Sequence, residues 1–134
     1  MSKFPYVGRG AQVNRIYKTQ IFNIDNGNGT TIDDVAFNLD QLVEIISVRP
    51  VYTEATDTAG VASANYKVGT TAGGAEIVAA TALDVSKAVG GYGSKAALVS
   101  SLVPPNTTVF IRHTGVASTE GGQYYVQIEY RVKP

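Results

Sequence analysis

The sequence predicts an all-β fold, an antiparallel β-sandwich of about eight strands that follows an extended N-terminal arm. The strongest indication is the segment from Gln123 to Lys133, in which apolar and polar residues alternate. Successive side chains of a strand point to opposite faces, so this segment has one dry face and one wet face, as is typical of antiparallel sheets. Its dry face consists of Tyr124, Val126, Ile128, Tyr130 and Val132. The second indication is that turn residues separate the strand-like segments about every eight to fifteen positions, which is typical of β-sandwiches.

Length and composition limit the class of protein. At 134 residues the chain is long enough to bury a core without metal ions or disulfide bonds. We predict an arm over residues 1–12 and a single sandwich domain over residues 13–134. The chain contains no cysteine, which excludes a disulfide framework, a thiol nucleophile and a cysteine-bound zinc ion. Charged residues make up 16% of the chain and the formal net charge is zero, which argues against a nucleic-acid partner.

The sequence also argues against a membrane partner. No apolar stretch approaches the roughly 20 residues that span a bilayer. The N-terminal residues lack the apolar core of a signal peptide. We therefore expect a soluble protein that is made in a cytoplasm.

Charge is distributed unevenly along the first third of the chain. The first ten residues show no period and contain Pro5, Gly8 and Gly10, which predicts an extended arm. Basic residues continue to Lys18, and an acidic segment follows. This segment contains Asp25, Asp33, Asp34, Asp40 and Glu44. The asymmetry would let the arm of one copy lie across the acidic segment of another, whereas the alternative is a frayed terminus followed by polar loops.

Three strands are predicted before the middle of the chain. They cover residues 13–24, 30–39 and 43–53. The first is rich in β-branched and aromatic side chains and ends at an Asn-Gly turn. In the third, the adjacent Ile45 and Ile46 break the alternation, which predicts a β-bulge. Pro50 is expected near the end of that strand, at a sheet edge.

Weaker patterns and glycine-rich stretches alternate in the rest of the chain. Further strands are predicted at residues 65–71 and 107–114, before the final strand. Residues 75–85 are either strand or irregular, and residues 94–102 either form one or two helical turns or lead into a strand. Loops or turns are predicted at residues 54–63, 86–93, 102–106 and 115–122.

His113 is the only histidine of the chain and the first candidate for chemistry. A catalytic histidine needs an orienting acid and a nucleophile, and the spacing of the sequence assigns neither. A metal-bound histidine needs at least two further ligands, and no other histidine or cysteine is present. Because Val109 and Ile111 precede it at strand spacing, we predict a structural or interface role for His113.

Four other motifs are interpreted as structural. Residues 25–30 superficially resemble a calcium loop, but the required oxygen ligands do not fall on the required positions, so we predict a hairpin turn. Residues 69–74 are rich in glycine but lack the lysine and the following helix of a phosphate-binding loop. The glycosylation patterns at Asn28 and Asn106 are interpreted as turns. The adjacent Asp33 and Asp34 would point to opposite faces of a strand, which does not suit an acid and a base that act on one bond.

Two parts of the chain resemble a known group of proteins. One is Val-Gly-Thr-Thr-Ala-Gly-Gly-Ala-Glu-Ile at 68–77, with Ala-Ala-Thr-Ala-Leu at 79–83. The other is Leu-Val-Pro-Pro-Asn-Thr-Thr-Val-Phe-Ile-Arg-His-Thr-Gly at 102–115. Together they resemble the small jelly-roll structural proteins of tailed bacteriophages, among them head decoration (cement) proteins and fibre-associated domains. The resemblance covers the chain from about residue 43 onward and lies in the succession of strands and turns.

The resemblance implies a jelly-roll sandwich that binds the outside of an icosahedral shell, usually as a homotrimer. The expected function is non-enzymatic decoration and cementing of a phage capsid, by a protein that is made in the host cytoplasm. The expected partners are the major capsid protein and further copies of this chain. The family has no shared catalytic residues, so we assign no catalytic, metal-binding or cofactor-binding residue. The expected capsid contacts are Lys3, Phe4, Tyr6 and Arg9 of the arm.

Two other functions remain open. The first is a carbohydrate- or receptor-binding module of a phage tail fibre or spike. Its candidate rings for stacking on a sugar are Tyr6, Tyr52, Tyr66 and Tyr92. The absence of tryptophan favours decoration over this alternative. The second is a small jelly-roll enzyme of the cupin type, which needs several histidine ligands for a metal, and one histidine does not supply them.

Overall fold

The computed structural model describes residues 13–24, 31–54, 64–83, 91–115 and 122–133. These residues form nine β-strands and no helix, which confirms the predicted all-β class. The strands are β1 (Arg15–Lys18), β2 (Phe22–Asn23), β3 (Thr31–Leu39), β4 (Leu42–Glu54), β5 (Asn65–Gly69), β6 (Val78–Ala82), β7 (Leu102–Val103), β8 (Thr107–Thr114) and β9 (Gln123–Lys133). The predicted arm at residues 1–12 lies outside the described residues.

The strands form two antiparallel sheets that pack face to face. Sheet A has the order β1-β9-β4-β7, and β2 also pairs with β9. Sheet B has the order β3-β8-β5-β6. Because β1 and β2 pair with the same edge of β9, they occupy one strand position, and each sheet has four positions. Eight positions in two sheets, with strands distant in sequence paired side by side, are the jelly-roll arrangement, so the predicted fold is confirmed.

A threonine side chain divides the strand predicted at residues 13–24 into β1 and β2. Thr19 lies between them and is 7% exposed. Its backbone N–H donates to the carbonyl of Val126 at 3.0 Å. Its hydroxyl accepts the N–H of Val126 at 2.9 Å, in the place where a backbone carbonyl would normally stand. The Thr19 side chain therefore gives the Val126 N–H of β9 a hydrogen-bond acceptor at the point where β1 ends. The hydrophobic pattern of the sequence does not show this interruption.

Strand β4 contains the predicted bulge, but the position of Pro50 differs from the prediction. The register of β4 on β9 shifts between Ile45 and Ser47, as the broken alternation predicts. Pro50 lies inside β4 and not at its end. Its carbonyl accepts the N–H of Gly93 at 2.8 Å, and the N and C=O of one strand residue point to the same side. The missing N–H therefore faces the irregular chain around Gly93, and the ladder with β9 loses no hydrogen bond.

Residues 91–101 run along the edge of β4 as irregular chain, and the helical turns that the sequence allows do not form. The Ala96 N–H donates to the Val48 carbonyl at 2.7 Å. The Val99 N–H donates to the Ile77 carbonyl, just before β6 of sheet B, also at 2.7 Å. The segment therefore connects the two sheets and closes one side of the sandwich.

The loop predicted at residues 102–106 is shorter than expected. Leu102 and Val103 form β7 on the edge of β4, because the side chain of Val103 enters the core and is 1% exposed. The turn that follows places Asn106 at φ 60°, directly after Pro105. Proline followed by a residue with positive φ is typical of a type II turn, so the turn predicted at Asn106 is confirmed.

The core lies between the dry faces of the two sheets. Its largest fully buried side chains include Tyr52, Tyr66 and Tyr124, and the Tyr124 ring contacts Tyr52 within sheet A and Tyr66 of sheet B across the sandwich. Burying a ring of this size contributes roughly 1.5–3 kcal/mol. The alternation predicted for β9 is confirmed for Tyr124, Val126 and Ile128, which are fully buried, whereas Tyr130 and Val132 of the predicted dry face are half-buried. The prediction that Tyr52 and Tyr66 are available for a sugar is wrong, because both rings complete this core.

Candidate functional site

Two of the predicted sites lie outside the described residues. The first is the arm, with the expected capsid contacts Lys3, Phe4, Tyr6 and Arg9. The second is the calcium-like sequence at residues 25–30. The ring of Tyr6, which was a candidate for stacking on a sugar, lies in the first as well.

His113 lies at the centre of a buried chain of polar groups. It is 1% exposed and projects from β8 into the core. Its Nδ1 lies 2.7 Å from the hydroxyl of Tyr124 on β9, and its Nε2 lies 3.2 Å from the Asp34 carboxylate on β3. Phe22 stacks on the imidazole, with ring centroids 5.1 Å apart. The Asp34–His113–Tyr124 chain therefore links sheet B to sheet A.

The hydrogen-bond partners of His113 determine which of its two ring nitrogens carries the proton. A carboxylate oxygen accepts hydrogen bonds, so Nε2 of His113 is assigned as the donor to Asp34, and Nδ1 accepts from the Tyr124 hydroxyl. Burial lowers the pKa of His113 below its ordinary value of 6.5, and Asp34 opposes this shift. Burial raises the pKa of Tyr124 well above 10. At neutral pH the centre therefore contains a neutral imidazole and a protonated phenol.

The order of acid, histidine and hydroxyl resembles a catalytic triad, but the environment does not suit nucleophilic attack. Tyr124 is fully buried, so no substrate reaches its hydroxyl. An activated nucleophile needs an adjacent base or a lowered pKa together with access to a substrate, whereas burial raises the pKa of Tyr124. The predicted structural role of His113 is therefore confirmed. Sequence reasoning did not find its acid, because Asp34 lies 79 positions away and joins it only through the pairing of β3 with β8.

The glycine-rich segment at residues 69–74 encloses a carboxylate. Glu76 accepts the Thr70 N–H at 2.8 Å and the Thr71 hydroxyl at 3.3 Å. The backbone hydrogen bond from Thr70 is the main reason why the pKa of Glu76 is lowered. A Cβ at Gly69 or Gly74 would collide with this carboxylate. Because an acid already occupies the position of an anion, the arrangement does not suit a phosphate, in agreement with the prediction.

Acidic residues of the segment expected to attract an arm are paired within the chain. Asp33 accepts two hydrogen bonds from Arg112, at 2.7 and 2.8 Å, and this contact lowers the pKa of Asp33. Asp34 faces His113, so Asp33 and Asp34 point to opposite faces as predicted. Glu44 accepts from Arg131 at 2.9 Å and also contacts Lys133. The pairs of Asp33 and Glu44 with arginines reduce the negative charge that β3 and β4 offer to another molecule.

Exposed large apolar side chains of the described residues lie along the sides of the sandwich. They are Val13, Ile16, Ile21, Ile32, Val35, Tyr92, Val99 and Leu102. The first five lie on or next to β1, β2 and β3, the strands that form one side of the sandwich. On this side the Tyr17 hydroxyl of β1 donates a hydrogen bond to the Val35 carbonyl of β3. The other three lie on the segment 91–102 at the opposite side. None lies on the central strands β4, β5, β8 or β9, so the apolar surface is lateral.

The described ranges contain neither a metal-binding cluster nor a membrane-spanning helix. Across residues 13–24, 31–54, 64–83, 91–115 and 122–133, no group of three or more histidine, aspartate or glutamate side chains is placed to hold a metal ion. Over the same ranges, no helix is long and apolar enough to cross a membrane.

Comparison with known proteins gives a likeness in structure. No protein-family model matches the chain, and no curated protein sequence matches it. Among solved structures, a chain of the cyanophage Pam1 capsid asymmetric unit is similar, with a TM-score of 0.54 and 18% sequence identity. The match covers 90% of this chain and 85% of that chain. At this level of identity the likeness shows the fold, and the chain therefore shares its jelly-roll fold with a chain of a phage capsid.

Proposed function

We propose that the protein is a non-enzymatic structural component of a phage virion that decorates and cements the outer surface of the capsid. The observation that carries this proposal is the fold, which is similar to a chain of a phage capsid over 90% of the present chain. A protein that binds only the assembled shell stabilises that shell by mass action, so no chemistry at a site is required. The protein would be made in the host cytoplasm and would function on the capsid surface.

The arm at residues 1–12 is proposed to contact the major capsid protein. Phe4 and Tyr6 have no strand pattern that would bury them in the sandwich. Burial of such a ring against a partner is worth roughly 1.5–3 kcal/mol. Lys3 and Arg9 would each add about 0–1 kcal/mol if they pair with exposed acids. Because Asp33 and Glu44 are paired with arginines within the sandwich, an acidic surface of the capsid suits this arm better than another copy of the chain.

A homotrimer is the proposed state on the capsid, and the lateral apolar surface supports it. Ile16, Ile21 and Val35 lie along one side of the sandwich, and Val99 and Leu102 lie along the other. Contact between unlike sides of neighbouring copies is heterologous, and such contacts form a closed ring when the rotation between copies allows it. Side-by-side packing would bury these side chains and leave the faces of both sheets free. Sedimentation at high micromolar concentration should show a trimer, and a monomer would contradict a preformed ring.

The test of decoration is negative-stain imaging of the protein mixed with empty heads of tailed phages. A regular pattern of added density on the heads is the expected result. Failure to decorate any head, together with binding to host polysaccharide, would establish the carbohydrate-binding alternative instead.

The role of the arm is tested by deleting residues 2–10. The truncated sandwich should keep its melting temperature and bind heads more weakly than the full chain. Unchanged head binding would refute the contact. A large fall in melting temperature would show that the arm belongs to the core.

A further inference from the structure

Two cations lie side by side on the outer face of sheet A. Lys18 of β1 and Arg49 of β4 are both register partners of Gln127, which lies between them on the central strand β9. Residues directly opposite each other in antiparallel strands project to the same face. Lys18, Gln127 and Arg49 therefore form a row across the sheet, on the side away from the core.

Each cation of this row lies over a tyrosine ring. The Lys18 Nζ is 5.6 Å from the centre of the Tyr125 ring, and the guanidinium carbon of Arg49 is 5.3 Å from the centre of the Tyr92 ring. Tyr125 and Tyr92 are both register partners of Val51, so the two rings form the next row of the same face. We call these two rows the cation–tyrosine patch.

The cations of the two sheets fall into two groups, and Arg15 and Lys67, like the two cations of the patch, contact no carboxylate within the described residues. Arg112, Arg131 and Lys133 each contact a carboxylate. No salt bridge to Lys18 or Arg49 is found within the described residues. The Nε of Arg49 is moreover buried and has no hydrogen-bond partner there. A buried donor without a partner carries a free-energy cost, so a movement of the Arg49 side chain that gave this donor an acceptor would be favourable.

We infer that the cation–tyrosine patch binds an acidic segment of a partner protein, through carboxylates that approach Arg49 and Lys18 together. A guanidinium that lies over a ring can still direct its terminal N–H groups at the two oxygens of a carboxylate. Stacking on Tyr92 also holds the Arg49 side chain in place, so less conformational entropy is lost when the carboxylate binds. Gln127, between the two cations, offers an amide that pairs with the peptide backbone of the bound segment.

Carboxylates of a protein fit the patch better than a sugar or a nucleic acid. Sugar binding uses the open face of an aromatic ring, and here one face of each ring is covered by a cation. Binding to nucleic acid needs many phosphate contacts, whereas the patch has two cations and the chain has no net positive charge. This inference goes beyond capsid decoration and does not depend on it. The acidic segment would belong to the partner protein that contacts the outer face of sheet A.

The test measures binding of a fluorescently labelled decaglutamate peptide to the full chain at low ionic strength, by fluorescence anisotropy. The variants Arg49→Gln and Lys18→Gln should each weaken binding about threefold or more, and the double variant should weaken it further. Lys67→Gln is the matched control, because Lys67 lies on the outer face of sheet B beside Arg112. The control should bind as the unaltered protein does, and added salt should weaken binding.

Three results would overturn the inference. The first is that the unaltered protein does not bind decaglutamate. The second is that Lys67→Gln weakens the binding of decaglutamate as much as the patch variants do. The third is that the patch binds polygalacturonate but not decaglutamate. The last result would assign the patch to acidic sugars. Thermal melting of each variant verifies that the sandwich remains folded. No phage head is used, so failure here is distinguishable from failure to decorate heads.

Discussion

The hydroxyl of Tyr124 offers a direct test of the buried polar chain. In Tyr124→Phe the ring keeps its contacts with Phe22, Tyr52 and Tyr66, and the hydrogen bond to Nδ1 of His113 is lost. The imidazole nitrogen is then buried without a partner. Leaving a buried acceptor unsatisfied costs about 1–3 kcal/mol of unfolding free energy. For a domain of this length each kcal/mol shifts the melting temperature by roughly 3–5 °C, so we expect a decrease of roughly 3–15 °C.

The matched control is Tyr130→Phe on the same strand. Tyr130 is half-buried and stacks on Phe37, with ring centroids 4.5 Å apart, and no hydrogen bond of its hydroxyl is found within the described residues. Its substitution should change the unfolding free energy by no more than about 0.5 kcal/mol. Both variants are measured by urea unfolding and by thermal melting. Equal stabilities for Tyr124→Phe and Tyr130→Phe would refute the idea that the buried hydrogen bond stabilises the link between the sheets.

Two further predictions concern the same core. The folded-state pKa of His113 lies below its unfolded value of 6.5, so its contribution to stability is complete above pH 6.5 and is lost as the pH falls from there toward the folded pKa. The free energy of unfolding should therefore decrease below pH 6.5, with a slope of up to about 1.4 kcal/mol per pH unit, and His113→Gln should lack this slope above the range in which carboxylates protonate. A slope that persists in His113→Gln would assign it to other groups. Thr19→Val should cost about 1–3 kcal/mol in urea unfolding, because the Val126 N–H loses its acceptor, whereas Thr19→Ser keeps the hydroxyl and should cost less. Equal costs for the two Thr19 variants would count against this role of the hydroxyl.

Strands whose two faces differ in polarity could be predicted from the sequence. The bounds of β8 and β9 agree with the predictions, because each strand has one face in the core and one in solvent. Strand β7 was missed, because two residues are too few to show a period and only the burial of Val103 reveals it. The interruption at Thr19 was missed for another reason, since a side-chain hydroxyl there replaces a backbone group.

The polar centre and the cation–tyrosine patch could not be predicted without knowledge of strand pairing. Asp34 and His113 each point inward by their own alternation, but their contact depends on β3 lying beside β8. The cation–tyrosine patch likewise brings together residues of β1, β4 and β9 and of the segment before β7. No local pattern encodes such neighbours, because they are set by the order of strands in the sheet.

The position of β9 has a consequence for how the chain folds during synthesis. β9 follows the other eight strands in the sequence, yet it lies at the centre of sheet A, between β1 and β2 on one edge and β4 on the other. Until its residues leave the ribosome, β1, β2 and β4 have no partner along those edges. Sheet A is therefore completed only after β9 has been translated, through contacts between residues distant in sequence, which form slowly. During this interval, exposed strand edges favour aggregation, and a chaperone that shields them would raise the yield of folded protein.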